Sequence, residues 1–124
     1  HVRSRRQRQM CIREDIEGLS ILGGEPFCNL DITLKCAHAF RQRFGHEKTL
    51  WVWTGFLFEY LRNDQYQRNE LLKNIDVLVD GPFIHHLYKP NLPYKGSLNQ
   101  RVIDVQKSLA SGRIHEYIFN VVIP

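Results

Sequence analysis

Short apolar runs alternate with longer amphipathic stretches along the chain, and this alternation predicts a mixed α/β fold. The short runs predict four strands, at residues 19–22, 49–53, 76–79 and 101–103. The longer stretches predict the end of a helix at 5–14, and helices at about 29–44, at 58–74 with a break near 63–64, and at 104–111. A final extended segment is expected at 114–123. Because nearly continuous apolar strands alternate with helices, we expect a mainly parallel sheet that helices cover.

Small and polar residues mark the ends of the predicted helices. Either Asn29 or Asp31 can cap the helix that Gly45 ends, and Gly112 suits a left-handed cap after the last helix. A complete eight-stranded barrel takes roughly 250 residues, so a half-barrel or an open sheet fits 124 residues.

Unusual residues follow three of the predicted strands. They are the segments 23–26 (Gly-Gly-Glu-Pro), 54–55 (Thr-Gly) and 80–82 (Asp-Gly-Pro). In parallel sheets the ligand lies beyond the carboxyl ends of the strands, so these segments are expected to form the rim of one site. Taken alone, Gly-Gly-Glu-Pro favours a strand-to-helix turn; the functional alternative is that Glu25 accepts a hydrogen bond from a cationic amine.

Charge and cysteine content exclude several classes of function. The net charge of +4 comes from five arginines in residues 1–13, since the remaining 12 basic and 13 acidic residues sum to −1. A basic face for nucleic acid is therefore not expected, and no apolar run is long enough to span a membrane. Cys11, Cys28 and Cys36 match neither a disulfide framework nor a zinc ribbon, so reduced thiols and no metal site among these residues are the default expectation.

Four stretches of the sequence point to a known family. They are GLSILGGEPF at 18–27, LWVWTG at 50–55, IDVLVDGPF at 75–83 and KGSLNQRVID at 95–104. In this order they closely resemble the activating proteins of anaerobic (class III) ribonucleotide reductase, in the radical S-adenosylmethionine superfamily. The resemblance covers residues 18 to about 112. Gly-Gly-Glu is shared across the superfamily, whereas the VDGPF and GSLNQR stretches are more specific to this branch.

The resemblance implies a half β/α barrel that holds a 4Fe–4S cluster and S-adenosylmethionine in a cytoplasmic enzyme. Reductive cleavage of S-adenosylmethionine would yield a 5′-deoxyadenosyl radical, which takes a hydrogen atom from a glycine of the reductase. The large subunit of that reductase and a flavodoxin-type electron donor are the implied partners, with no nucleic acid and no membrane. In such an enzyme the protein supplies orientation and shielding.

The resemblance also assigns site residues position by position. Gly23, Gly24 and Glu25 would hold the methionine amino group, and Thr54 would lie near the methionine or the ribose. Asp80 would face the cofactor, with a helix or turn cap as the alternative. The far side of the site would be lined by Ser97, Asn99 and Gln100, unless these residues only close a turn.

For several other residues the sequence leaves two roles open. Arg101 would pair with a carboxylate or lie on the surface, and core packing is expected for at least one of Trp51 and Trp53. The proline-punctuated loop 89–96, which carries Tyr94 and Lys95, is expected either to border the mouth of the half-barrel or to be an ordinary surface loop.

The sequence departs from the superfamily at the cluster motif. The C-x3-C-x2-C pattern that precedes Gly-Gly-Glu in the superfamily has no counterpart in residues 1–17, where Cys11 stands alone. We therefore expect a single domain over 1–124 that lacks its N-terminal cluster-binding segment through truncation. The alternatives are a cluster-free remnant that binds the reductase or a nucleotide without catalysis, and another radical S-adenosylmethionine enzyme such as a deazapurine synthase.

Overall fold

The computed structural model describes residues 18–21, 25–64, 67–92 and 94–118, which include one four-stranded sheet. Its strands lie side by side in chain order: β1 (Gly18–Ile21), β2 (Thr49–Trp53), β3 (Val77–Asp80) and β4 (Arg101–Asp104). β1, β2 and β3 are parallel, whereas β4 is antiparallel to β3. The mixed α/β class and the mainly parallel sheet are confirmed; the sheet is open, and a half-barrel remains a prediction.

Four α-helices accompany the sheet in the described residues: α1 (Leu30–Phe44), α2 (Phe58–Arg62), α3 (Arg68–Leu72) and α4 (Val105–Ser111). The predicted break near 63–64 is confirmed, because α2 ends at Arg62. A 3₁₀ turn at His85–Leu87 was not predicted. The predicted helix end at 5–14 lies outside the described residues.

The helices bury one face of the sheet. Along β2, Leu50 and Val52 are fully buried in the core, while Trp51 and Trp53 between them point to the opposite face and are half-buried. The core on the helical face also includes Leu78 and Ile103 from the neighbouring strands, with residues of all four helices packed against them. Alternation along β2 therefore divides the sheet into a helix-covered face and a face that carries the tryptophans.

Helix ends follow the sequence prediction in part. Asn29 is the N-cap residue of α1, yet its side chain makes no capping hydrogen bond. The Thr33 hydroxyl instead donates to the carbonyl oxygens of Asn29 and Pro26. At α4, the Asp104 carboxylate accepts the N–H of Lys107, and Gly112 takes the left-handed conformation expected of it, with φ of 75°.

The third strand begins at Val77, one residue later than predicted. The Asp76 carboxylate lies outside the strand, where it accepts the N–H of Leu50 at 2.7 Å and pairs with Arg41 at 2.6 Å. At the other end of the chain, Glu116 forms a β-bridge with Ile103 in the predicted segment 114–123. Residues 119–123 of that segment lie outside the described part.

The expectation of reduced thiols holds for Cys28, whose free thiol is exposed, and is wrong for Cys36, which is disulfide-bonded. Among the helices of the described residues, none combines the length and apolar character that crossing a membrane requires.

Candidate functional site

Glu25 connects the segment after β1 to the carboxyl end of β2. Its carboxylate accepts the N–H of Gly55 at 2.6 Å, the N–H of Phe27 at 2.9 Å and the hydroxyl of Thr54 at 2.9 Å from either oxygen. Three donors therefore fix the orientation of this part-buried carboxylate, which has about four lone-pair positions in all. An oriented carboxylate with acceptor capacity left suits a cationic amine.

Thr54 joins this carboxylate to the end of β3. The residue is 5% exposed, and its backbone N–H donates to the carbonyl oxygen of Val79 at 2.9 Å. Its hydroxyl also accepts the N–H of Phe56 at 3.1 Å. Two of the residues that the resemblance places in the site, Glu25 and Thr54, are thus in direct contact. Gly23 and Gly24 lie outside the described residues.

Asp80 is fully buried at the carboxyl end of β3. It accepts the N–H of Phe58, the first residue of α2, at 2.8 Å, and both of its oxygens accept from the Arg101 guanidinium. Asp80 therefore has the capping role that the sequence left open, together with an ion pair.

Arg101 lies between two carboxylates of very different exposure. Besides buried Asp80 it donates to Glu59, whose side chain is 48% exposed, at 2.6 Å. The hydrogen bonds to Asp80 and then Glu59 raise the pKa of Arg101 far above its ordinary value. The same guanidinium, mainly through its hydrogen bond, lowers the pKa of Glu59. Of the two roles that the sequence left open for Arg101, the structure shows pairing with carboxylates.

Ser97, Asn99 and Gln100 hold together the connection between β3 and β4. The Gln100 side chain donates to the carbonyl oxygen of Gly81 at 2.9 Å and accepts the N–H of Gly96 at 2.8 Å. Asn99 donates to the carbonyl oxygen of Pro82 at 2.7 Å and accepts the Ser97 hydroxyl at 2.6 Å. All three side chains therefore close the loop.

One path of hydrogen bonds links these groups along the edge of the sheet. Thr54 contacts Phe56, the carbonyl oxygen of Phe56 accepts the N–H of Gly81 at 3.0 Å, and the carbonyl oxygen of Gly81 accepts from Gln100. The predicted site residues that the structure describes thus lie along one rim at the carboxyl ends of β2 and β3. Among the predicted site residues in the described part of the chain, Thr54 alone contacts Glu25 through its side chain.

An aromatic group on the sheet face opposite the helices was only partly anticipated. The Trp51 ring lies 5.8 Å from that of Trp53, 4.7 Å from Tyr94 and 5.3 Å from Tyr117, measured between ring centroids. The Trp53 indole N–H also donates to the carbonyl oxygen of Tyr94 at 2.6 Å. Both tryptophans are therefore packing residues. Alternation along β2 indicated this face, but nothing in the sequence indicated the two tyrosines.

Iron–sulfur ligation requires three or more thiolates, or equivalent ligands, that converge on one point. Within the described ranges no group of three histidine, cysteine or acidic side chains is placed to hold a metal ion. Cys28 is exposed on its own and Cys36 is disulfide-bonded. The described residues therefore do not fit a cluster.

Comparison with known proteins points to a specific family. Residues 3–103 match the family model described as 4Fe-4S single cluster domain. Three relatives carry the name anaerobic ribonucleoside-triphosphate reductase-activating protein. They come from Pasteurella multocida (42% identical over 89 residues), Escherichia coli strain K12 (39% over 88 residues) and Enterobacteria phage T4 (36% over 93 residues).

These matches cover 68–70% of this chain and 53–54% of the relatives. The chain thus spans about half the length of the curated relatives it matches. No solved structure matches it.

Proposed function

Because the chain belongs to the 4Fe-4S single cluster domain family, we propose that it binds S-adenosylmethionine as part of an activating protein for anaerobic ribonucleotide reductase. The activity proposed for the whole protein is the generation of a glycyl radical on the reductase large subunit by reductive cleavage of S-adenosylmethionine at a 4Fe–4S cluster. A flavodoxin-type electron donor and a cytoplasmic location belong to the same proposal.

The observation that carries the proposal is the contact between Glu25 and the end of β2. The Gly55 and Phe27 N–H groups and the Thr54 hydroxyl aim the carboxylate, so that an incoming ammonium meets an oriented, charged acceptor. In this role Glu25 binds the methionine amine, with Gly23 and Gly24 allowing close approach of the ligand to the backbone.

Asp80, Ser97, Asn99 and Gln100 form the far wall of the proposed site. Their side chains are bonded to backbone groups and to Arg101, so their contribution is to hold the loop after β3 in place. Such fixed surroundings keep the reacting groups of a bound ligand in one geometry.

The strand arrangement in the open sheet is compatible with the half-barrel that we propose. Three parallel strands in chain order, with the helical residues packed against one face, are the arrangement that successive right-handed crossovers produce in a barrel arc. In this proposal the face with Trp51 and Trp53 is the concave one.

No cluster ligand is assigned among the described residues, and no step is derived through the cluster. The lack of a C-x3-C-x2-C pattern in residues 1–17 is the observation behind a second candidate, a cluster-free module that binds the reductase or a nucleotide without catalysis. Binding of S-adenosylmethionine at Glu25 separates the proposal from a module that only docks to the reductase, because such a module has no use for this ligand.

Equilibrium dialysis of this chain with labelled S-adenosylmethionine tests the proposal. Glu25→Gln removes the charge at nearly constant volume, and we expect it to weaken binding by about 1–3 kcal/mol, the range for a hydrogen bond to a charged group. The matched control is Glu70→Gln, on an exposed position of α3. Equal binding by the wild-type chain and Glu25→Gln would contradict the proposed role of Glu25.

A further inference from the structure

The connection between β3 and β4, residues 81–100, differs in charge from the rest of the chain, and we call it the β3–β4 hairpin. It contains Lys89 and Lys95 and two histidines but no aspartate or glutamate. In contrast, residues 14–124 as a whole sum to −1. The hairpin is therefore a local positive region on an otherwise balanced domain.

Hydrogen bonds link the described residues of the hairpin to one another. Tyr88 and Ser97 form an antiparallel bridge, and the N–H of Leu98 donates to the carbonyl oxygen of Leu87 at 3.0 Å. The Ser97–Asn99–Gln100 bonds close its base. A surface that is already fixed loses little conformational entropy when a partner binds to it.

Large apolar side chains are exposed on this fixed surface. Phe83, Tyr88 and Leu98 are 54%, 53% and 48% exposed, and the rings of Phe83 and Tyr88 lie 6.0 Å apart. Gly96 lets the Phe83 ring lie close to the backbone, because a Cβ at position 96 would be 3.1 Å from two ring carbons. The paired rings of Phe83 and Tyr88 thus form a small exposed aromatic patch, a kind of surface that interaction sites use.

A cavity of about 320 Å³ adjoins the hairpin. Lys95 and Leu98 of the hairpin form part of its wall, together with Val102 and Tyr117, and its charged lining also includes Arg101 and Glu116. The cavity is thus continuous with the exposed surface, and it can receive a side chain from a segment that lies along the hairpin.

We propose that the β3–β4 hairpin is a docking surface for an acidic segment of the reductase that carries an exposed apolar side chain, an inference that rests on the proposed function. Lys89 and Lys95 attract the acidic groups and make no salt bridge within the described residues. Phe83 and Tyr88 contact the apolar part, and the cavity takes its side chain. The hairpin follows the β3 end of the proposed S-adenosylmethionine site, so docking there brings the partner to that site.

Charge distribution favours a protein over single-stranded nucleic acid as the occupant. Nucleic acid is bound through a broad basic patch or groove that follows the phosphates. The hairpin offers two lysines and no arginine. Two lysines beside exposed apolar side chains match a short acidic protein segment.

Binding of this chain to the purified anaerobic ribonucleoside-triphosphate reductase encoded in the same genome tests the inference, with biolayer interferometry as the measurement. We expect Lys89→Gln with Lys95→Gln to lower the association rate at low ionic strength by roughly tenfold, since charge complementarity acts mainly on association. We expect Phe83→Ser with Tyr88→Ser to raise the dissociation rate by a similar factor.

The matched control is Lys73→Gln with Lys107→Gln, which removes the same charge from exposed positions elsewhere. Circular dichroism shows whether each variant keeps the fold. Failure of the wild-type chain to bind the reductase overturns the proposed function as well. If the wild-type chain binds the reductase and both hairpin variants bind it equally well, the docking surface alone is overturned. The same holds if a dT oligonucleotide binds the hairpin lysines and the lysine substitutions leave reductase binding unchanged.

Discussion

Arg101 illustrates how one side chain can hold two elements together. It joins buried Asp80 at the end of β3 to exposed Glu59 on α2. Arg101→Ala leaves the Asp80 carboxylate buried, with the Phe58 N–H as its one remaining partner among the described residues. Removing one partner of a buried ion pair costs about 3 kcal/mol or more.

We therefore expect Arg101→Ala to lower the free energy of unfolding by about 3 kcal/mol, measured by urea denaturation. Arg113→Ala, which removes an exposed arginine, is the control and should change stability by less than about 0.5 kcal/mol. If both variants lose the same stability, the ion pair with Asp80 contributes nothing specific.

Glu59 makes the stability of the folded chain depend on pH, and the sign of this dependence follows from its lowered pKa. Its pKa in the folded chain lies below the ordinary value of 4.5, mainly through the hydrogen bond from Arg101. Its stabilising contribution is therefore present above pH 4.5 and is lost as the pH falls through the lowered pKa. Because the side chain is half exposed, solvent screening keeps this contribution small. The wild-type chain should lose it on acidification, whereas Arg101→Ala should not.

For single residues, the sequence predicted where the site residues lie but not which groups they bond to. It placed Glu25, Thr54 and Asp80 at strand ends, because the strands are short apolar runs that end visibly in the sequence. It did not find the bonds from Thr54 to Glu25 or from Arg101 to Asp80. These bonds join residues 29 and 21 positions apart, and their formation depends on strand order and register.

At the scale of elements, α4 follows its local sequence closely. Gly112 ends it, as predicted, whereas Asp104, predicted as its first residue, is its N-cap; both signals act within a few residues of the helix. No atom lies within 4 Å of a Cβ placed on Gly112, so only its φ of 75° penalises a side chain there.

Because a Cβ at Gly112 meets open space, substitutions there test the backbone conformation alone. Gly112→Ala should destabilise the chain by about 1 kcal/mol, while Gly112→Asn should cost less, because asparagine adopts the left-handed conformation more readily. Thermal unfolding of the two variants in parallel measures the difference. Equal melting temperatures for both variants would show that α4 ends in another way.

The β3–β4 hairpin is the element that the sequence described least well. Its prolines indicated a loop at 89–96, but the 3₁₀ turn and the bridge between Tyr88 and Ser97 were not foreseen. The hydrogen bond from the Gln100 side chain to the carbonyl oxygen of Gly81 spans 19 positions. A turn prediction limited to neighbouring residues therefore does not include it.

At the scale of the whole molecule, the alternation of strands and helices was enough to predict the class of fold. The order of the strands and the antiparallel direction of β4 were not predicted. The direction of β4 depends on how the 20-residue connection returns to the sheet, and apolar periodicity does not record the direction of a strand. The open sheet leaves Trp51 and Trp53 on the face away from the helices.

We propose that S-adenosylmethionine binds at the carboxyl ends of β1 and β2 with its amine at Glu25. Intermolecular nuclear Overhauser effects between bound S-adenosylmethionine and the isotope-labelled chain test it most directly. We predict contacts from the methionine protons to the amide protons of Phe27 and Gly55, the two N–H groups bonded to the Glu25 carboxylate. Contacts that instead lie only at the aromatic group around Trp51, or no contacts at saturating ligand, would contradict the account.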